Sequence, residues 1–164
     1  MNPSEIKRRM DKKLLPARMI WIGMMFSVAI YLGLGYLLPT LGVLPETGVD
    51  LPAITSTVLM AVGIIWAVAG VLIAGGKPPI LKITEGDNPD AVMGKVFTGM
   101  VISWALCGSA GVMGLAIFFI FRSFQDLLIL CIVAILGLLF AFPSEGKFKS
   151  ALQTAGSGTP GMPM

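Results

Sequence analysis

The sequence predicts an all-α integral membrane protein with four transmembrane helices, arranged as two antiparallel hairpins with both termini cytoplasmic. Three observations predict it. Of the 164 residues, 55% are hydrophobic and only 13% charged, whereas an ordinary soluble domain is about 25% charged. Four apolar segments, at about 18–38, 53–75, 96–121 and 127–142, hold no acidic residue or lysine, and no arginine beyond Arg18 at the first boundary. Eleven of the twelve Lys and Arg residues fall on one side of a four-helix topology, as the positive-inside rule requires of a cytoplasmic face.

Residues 1–17 form a basic cytoplasmic segment carrying Lys7, Arg8, Arg9, Lys12 and Lys13. Ser4 offers an N-cap for a short helix, and Ile6, Met10, Leu14 and Leu15 give it an apolar edge. Such a segment is expected to contact anionic headgroups through those five basic side chains, or simply to orient the chain. The 18–38 segment follows. A cleaved signal peptide would also have basic residues before an apolar run, but about 20 apolar residues exceed the usual h-region and no small-residue cleavage pattern closes it.

The connection PTLGVLPETGVDLP contains Pro39, Pro45 and Pro52 and reads as an irregular extracytoplasmic cap. After the 53–75 segment, Lys77-Pro78-Pro79 ends the helix, and Asn88-Pro89-Asp90 supplies a turn or the start of the next one. RSFQD, at 122–126, is short enough to make the third and fourth helices antiparallel neighbours. The fourth segment is the shortest, near the lower limit for crossing a core of about 30 Å. Residues 143–164 end in TAGSGTPGMPM and read as a flexible cytoplasmic tail. The 18–142 region is thus the membrane domain.

Lipid is as apolar as leucine, so transmembrane helices associate by close packing, and small residues let backbones approach. On the third segment Gly99, Ser103, Cys107, Gly111 and Gly114 recur every three or four residues, with Gly108 widening the stripe. The second segment carries Gly63, Ala67, Gly70 and Ala74 at the same spacing. The two stripes are expected to be partner faces, within one chain or between copies.

Histidine is absent, which removes imidazole ligation of haem or zinc and the commonest general base. Ionisable residues within a span are the usual mark of proton relays and pumps, and the four apolar cores have none. No GxSxG, HExxH, CxxC or phosphate-loop pattern occurs. Ser103 and Ser109 have no base near them in the sequence pattern. Glu85, Asp87 and Asp90 form a solvated loop cluster, and the eleven methionines, scattered through apolar runs, read as gap-filling side chains rather than copper ligands. Cys107 and Cys131 read as free thiols inside apolar runs. No catalytic residue, metal site or cofactor is expected, and no nucleic-acid partner.

Residues 105–115, ALCGSAGVMGL, resemble the carboxylate-bearing helix of the c-type proteolipid subunits of rotary ATPases. That helix has a run of small residues, an intramembrane Glu or Asp, then an aromatic residue, Gly and Leu. The VAIYLGLGYLL run of the first segment echoes AGVMGLAIFF of the third, as distant repeats would, and the two-hairpin layout extends the likeness over the four helices. Gly108 stands at the carboxylate position and Met113 at the aromatic one. Glycine neither binds nor releases a proton, so the resemblance implies a non-translocating relative that keeps the close-packed helix.

The function expected is non-catalytic: a structural, assembly or accessory subunit of a larger complex in a bacterial-type cytoplasmic membrane. Its partners are the bilayer and other membrane subunits or further copies of itself. A small homo-oligomeric channel with a neutral Gly/Ser/Thr-lined path and a membrane-organising protein that binds anionic lipid are the alternatives.

Overall fold

The computed structural model describes residues 3–43, 52–75 and 88–156. The described residues form helices and connecting turns, with no strand among them. The helices are α1 (Pro3–Thr40), α2 (Ala53–Gly75), α3 (Pro89–Phe121), α4 (Phe124–Phe140) and α5 (Glu145–Gly156). The acidic loop residues Glu46, Asp50, Glu85 and Asp87, the basic loop residues Lys77 and Lys82, and the end of the tail lie outside the described residues.

Three of these helices are long and apolar enough to cross a membrane, or four if α4 and α5 form one span bent by 53°. Two run well past the apolar segments that define them. α1 has 38 residues, starts within the basic segment and continues through Pro16 without a break; at 1.5 Å per residue it is about 57 Å long. Pro16 removes the hydrogen bond to the carbonyl of Lys12. Lys12 is exposed, on the basic stretch before the apolar run, where water can take that role. The separate short basic helix expected before the first crossing is therefore the first four turns of the crossing helix itself.

α3 begins at Pro89 rather than near 96, because Asn88 caps it: the Asp90 amide donates to Asn88 Oδ1 at 3.2 Å, and Pro89 occupies a first-turn position where its missing N–H is not needed. Its far end is closed by Arg122 in the left-handed region (φ 60°), whose amide donates to the Phe118 carbonyl at 2.9 Å. Ser123 then caps α4, accepting from the Asp126 amide at 3.3 Å. The turn is thus as tight as its five residues predict. Within the segment that reads as a flexible tail, α5 is a helix: Phe148 is fully buried and Ala151 nearly so, and these two anchor it to the bundle.

α3 and α4 are the centre. Each packs against both α1 and α2, whereas among the described residues α1 and α2 do not pack against one another. The expected first hairpin is therefore not a packed pair, since α1 and α2 flank the α3–α4 pair. The reason lies in α3, which offers close approach on more than one side. A Cβ at Gly111 would lie 3.3 Å from the Tyr31 ring of α1, and one at Gly114 would lie 3.0 Å from Leu130 Cβ and 3.3 Å from the Leu127 backbone of α4. Trp104, Cys107 and Phe118 from α3, with Leu127, Cys131, Ala134 and Leu138 from α4, sit in one buried cluster.

The two ends of the bundle differ in charge. The start of α1, the start of α3 and all of α5 meet at one end, which carries Arg8, Lys12, Lys13, Arg18, Lys95, Lys147 and Lys149. Arg122 is the sole basic residue of the other end among the described residues.

Glycines that meet backbone should tolerate a methyl group less well than those that meet a flexible side-chain tip. Gly70→Ala is expected to destabilise the protein by at least about 1 kcal/mol more than Gly108→Ala, measured by denaturant titration in micelles. Equal effects would mean that the α2–α3 crossing relaxes freely.

Candidate functional site

Of the residues singled out in α2 and α3, Gly70, Ala67, Ser103 and Cys107 meet on one seam. Ser103 Oγ donates to the Gly70 carbonyl at 2.6 Å, fully buried, and Cys107 Sγ donates to the Ala67 carbonyl at 3.7 Å. At Gly70 an added Cβ would stand 2.7 Å from Cys107 Sγ, 2.8 Å from the Ser103 carbonyl oxygen and 3.1 Å from the Cys107 amide nitrogen. Backbone meets backbone here, so only glycine fits. The serine hydroxyl takes a second role: it satisfies a helix carbonyl that already belongs to α2, tying the two helices without exposing a polar group to lipid.

Gly63 continues the seam towards α4, where a Cβ would be 3.1 Å from Leu130 Cδ2. Ala67 is buried, and Ala74 is half-buried beside the same cluster. Gly99, Gly108, Gly111 and Gly114 are all buried, but Gly108, Gly111 and Gly114 serve other faces. Gly108 and Gly111 face α1, a Cβ at Gly108 approaching Met24 Cε at 2.9 Å, and Gly114 faces α4. The single stripe read along α3 is thus divided among three neighbours.

Three features of the site were not singled out in the sequence. Gly137 of α4 abuts Cys107 where α4 also meets α2; its Cβ would lie 2.8 Å from the sulfur and 3.6 Å from Val71 Cγ2. A lone glycine among bulky residues in AILGLLF was the available signal. Gly35 of α1 likewise gives room to the Leu127 side chain. The third feature is the end of α4, where the last carbonyls of any helix lack intrahelical donors. Three side chains from three different helices supply them. The Trp21 indole donates to the Leu138 carbonyl at 2.8 Å, the Trp104 indole to the Ala141 carbonyl at 2.9 Å, and Lys147 Nζ reaches the Phe140 carbonyl at 3.5 Å. Trp21 also packs edge-on against Phe142, with ring centroids 5.1 Å apart.

At the other end, Ser56 Oγ of α2 donates to Asp126 Oδ2 of α4 at 3.1 Å. Of the five basic residues expected at headgroups, Arg8 and Lys12 are exposed and Lys13 is half-buried, its Nζ 3.9 Å from the Cβ position of Gly94. The Lys7 and Arg9 side chains lie outside the described residues.

No family model matches the chain, no curated protein matches it, and no solved structure matches it.

Chemically, the seam holds helices together. Among the described residues no three His, Cys, Asp or Glu side chains group in a way that could hold a metal ion. Both cysteines are buried and free.

Trp104→Phe keeps an aromatic ring but removes the donor to Ala141 and part of a buried side chain's volume, so it should destabilise the protein by at least about 1–3 kcal/mol, the range for a buried acceptor left unpaired, with a cavity cost added; thermal unfolding in micelles would measure it. A membrane-permeant maleimide should leave Cys107 and Cys131 unmodified in the folded protein and label both after denaturation in dodecyl sulfate. Rapid labelling of Cys107 before denaturation would mean that the seam opens.

Proposed function

We propose that this protein is a non-catalytic accessory or assembly subunit of a larger membrane complex, placed in a bacterial-type cytoplasmic membrane with both termini inside. The observation that carries the reading is the pairing of a closed interior with an uncovered periphery. The α2–α3 crossing is sealed by backbone contact at Gly70, Ser103 and Cys107, which leaves no solute path along that seam within one chain. On α1, by contrast, Met19, Ile22 and Phe26 are 66%, 58% and 67% exposed, and Gly23 and Gly33 have open space around them. Small residues that no neighbour uses are available for another helix.

The grouping of basic residues at the end that carries α5 and the starts of α1 and α3 supports the proposed orientation. The proteolipid resemblance fits the same reading: with Gly108 against Met24, the place of an ion-binding carboxylate is used for packing.

Native mass spectrometry of the protein extracted from its own membrane in gentle detergent should show a mixed assembly with a stoichiometric partner. Recovery as a monomer alone would defeat the proposal, and a discrete homo-oligomer would transfer it to a pore formed between copies.

A further inference from the structure

We infer that the outer face of α1 docks a transmembrane helix of a different protein, one whose continuation beyond the membrane on the basic side is acidic. This rests on the accessory-subunit reading and specifies the partner's chemistry. Arg8, Lys12, Leu15, Met19, Ile22 and Phe26 recur at alternating intervals of four and three residues, and all six are exposed. The same register continues through Ala29 and Gly33 to Tyr36. A three-four repeat is the geometry of a left-handed helix pair. From Arg8 to Tyr36 it changes character once, from basic above Arg18 to apolar below it.

The basic part stands off the bilayer. Lys12 and Arg8 lie six and ten residues before Arg18, about 9 and 15 Å further along the helix. The headgroup layer on each side of the hydrocarbon is only about 5–7 Å thick, and an ordinary tilt of about 20° shortens these heights by less than a tenth. The extension is held against the bundle: Leu14 and Ala17 are buried in one cluster with Met93 of α3 and Phe148 of α5. Lipid therefore covers the lower part of the face and leaves Arg8 and its neighbours above the headgroups.

Charge decides between a second copy and a different protein. Copies inserted in one membrane share an orientation, so pairing through α1 would set Arg8 and Lys12 opposite their own counterparts, and like charges in register oppose association. A foreign helix with Glu or Asp at the matching heights meets both halves of the face.

The test uses the full-length protein, labelled with a donor dye, in neutral phosphatidylcholine vesicles. Single-span Leu/Ala helical peptides with four Glu or four Lys at each end carry the acceptor. The Glu peptide is expected to associate at least about tenfold more tightly than the Lys peptide, and R8E/K12E to reverse the order while keeping the helical circular dichroism. Indifference to peptide charge, or an unchanged preference in R8E/K12E, overturns the inference. Stronger transfer between two labelled copies of the protein than to the Glu peptide assigns the face to self-association and also overturns it. In extracts of the native membrane, full recovery of a stoichiometric partner by R8E/K12E would overturn this inference and leave the accessory-subunit reading standing; absence of any partner from the unmodified protein would remove that reading itself.

Discussion

The close approach of α2 to α3 at Gly70 is the constraint on which the other packing depends. In lipid there is no hydrophobic gain from bringing two apolar helices together, so contact has to come from short-range attraction and from hydrogen bonds. Dispersion falls away steeply with a gap of even half an ångström. Glycine at 70 removes that gap, and Ser103 can then reach the Gly70 carbonyl at 2.6 Å. With α2 fixed on α3, Cys107 is set between Gly70 and Gly137, and α4 takes its position from the same sulfur. One missing side chain on α2 thus sets the spacing of three helices.

A second constraint follows from the length of α4. Its 17 residues span about 26 Å, less than a typical hydrocarbon core of about 30 Å. A helix ending at that depth would leave carbonyls facing lipid, which the bilayer does not tolerate. The two indoles and Lys147 remove the difficulty by supplying donors from α1, α3 and α5. The Pro143 region then turns the chain through 53° into α5, which closes over the end of the bundle with Phe148. Packing and hydrogen bonding therefore answer different problems at different heights: glycine spacing in the middle of the bundle, side-chain capping at its basic end.

Much of this was legible in the residues. Four apolar segments, the Asn88-Pro89 helix start and the tight RSFQD turn are local signals, and local chemistry determines them. The α2 and α3 stripes were legible as packing faces because small residues at three- and four-residue spacing have few other uses in a membrane. What escaped was non-local. Nothing within 18–38 says that α1 and α2 stay apart, because that depends on α3 having glycines on several sides. The α5 helix was hidden by the glycines and prolines after it, and only its burial of Phe148 distinguishes it from a solvated tail. The indole N–H groups of Trp21 and Trp104 acquire a role only when the end of α4 arrives beside them. Pro16 lies inside α1, and its lost hydrogen bond falls where water can replace it.

The capping of α4 also has an order in time. Trp21 precedes its acceptor by 117 residues and Trp104 precedes its own by 37. A ribosome making this chain delivers both donors before either acceptor exists. The least self-sufficient segment is consequently the last of the apolar ones to be made, and it emerges after the two indoles that cap it have already left the ribosome.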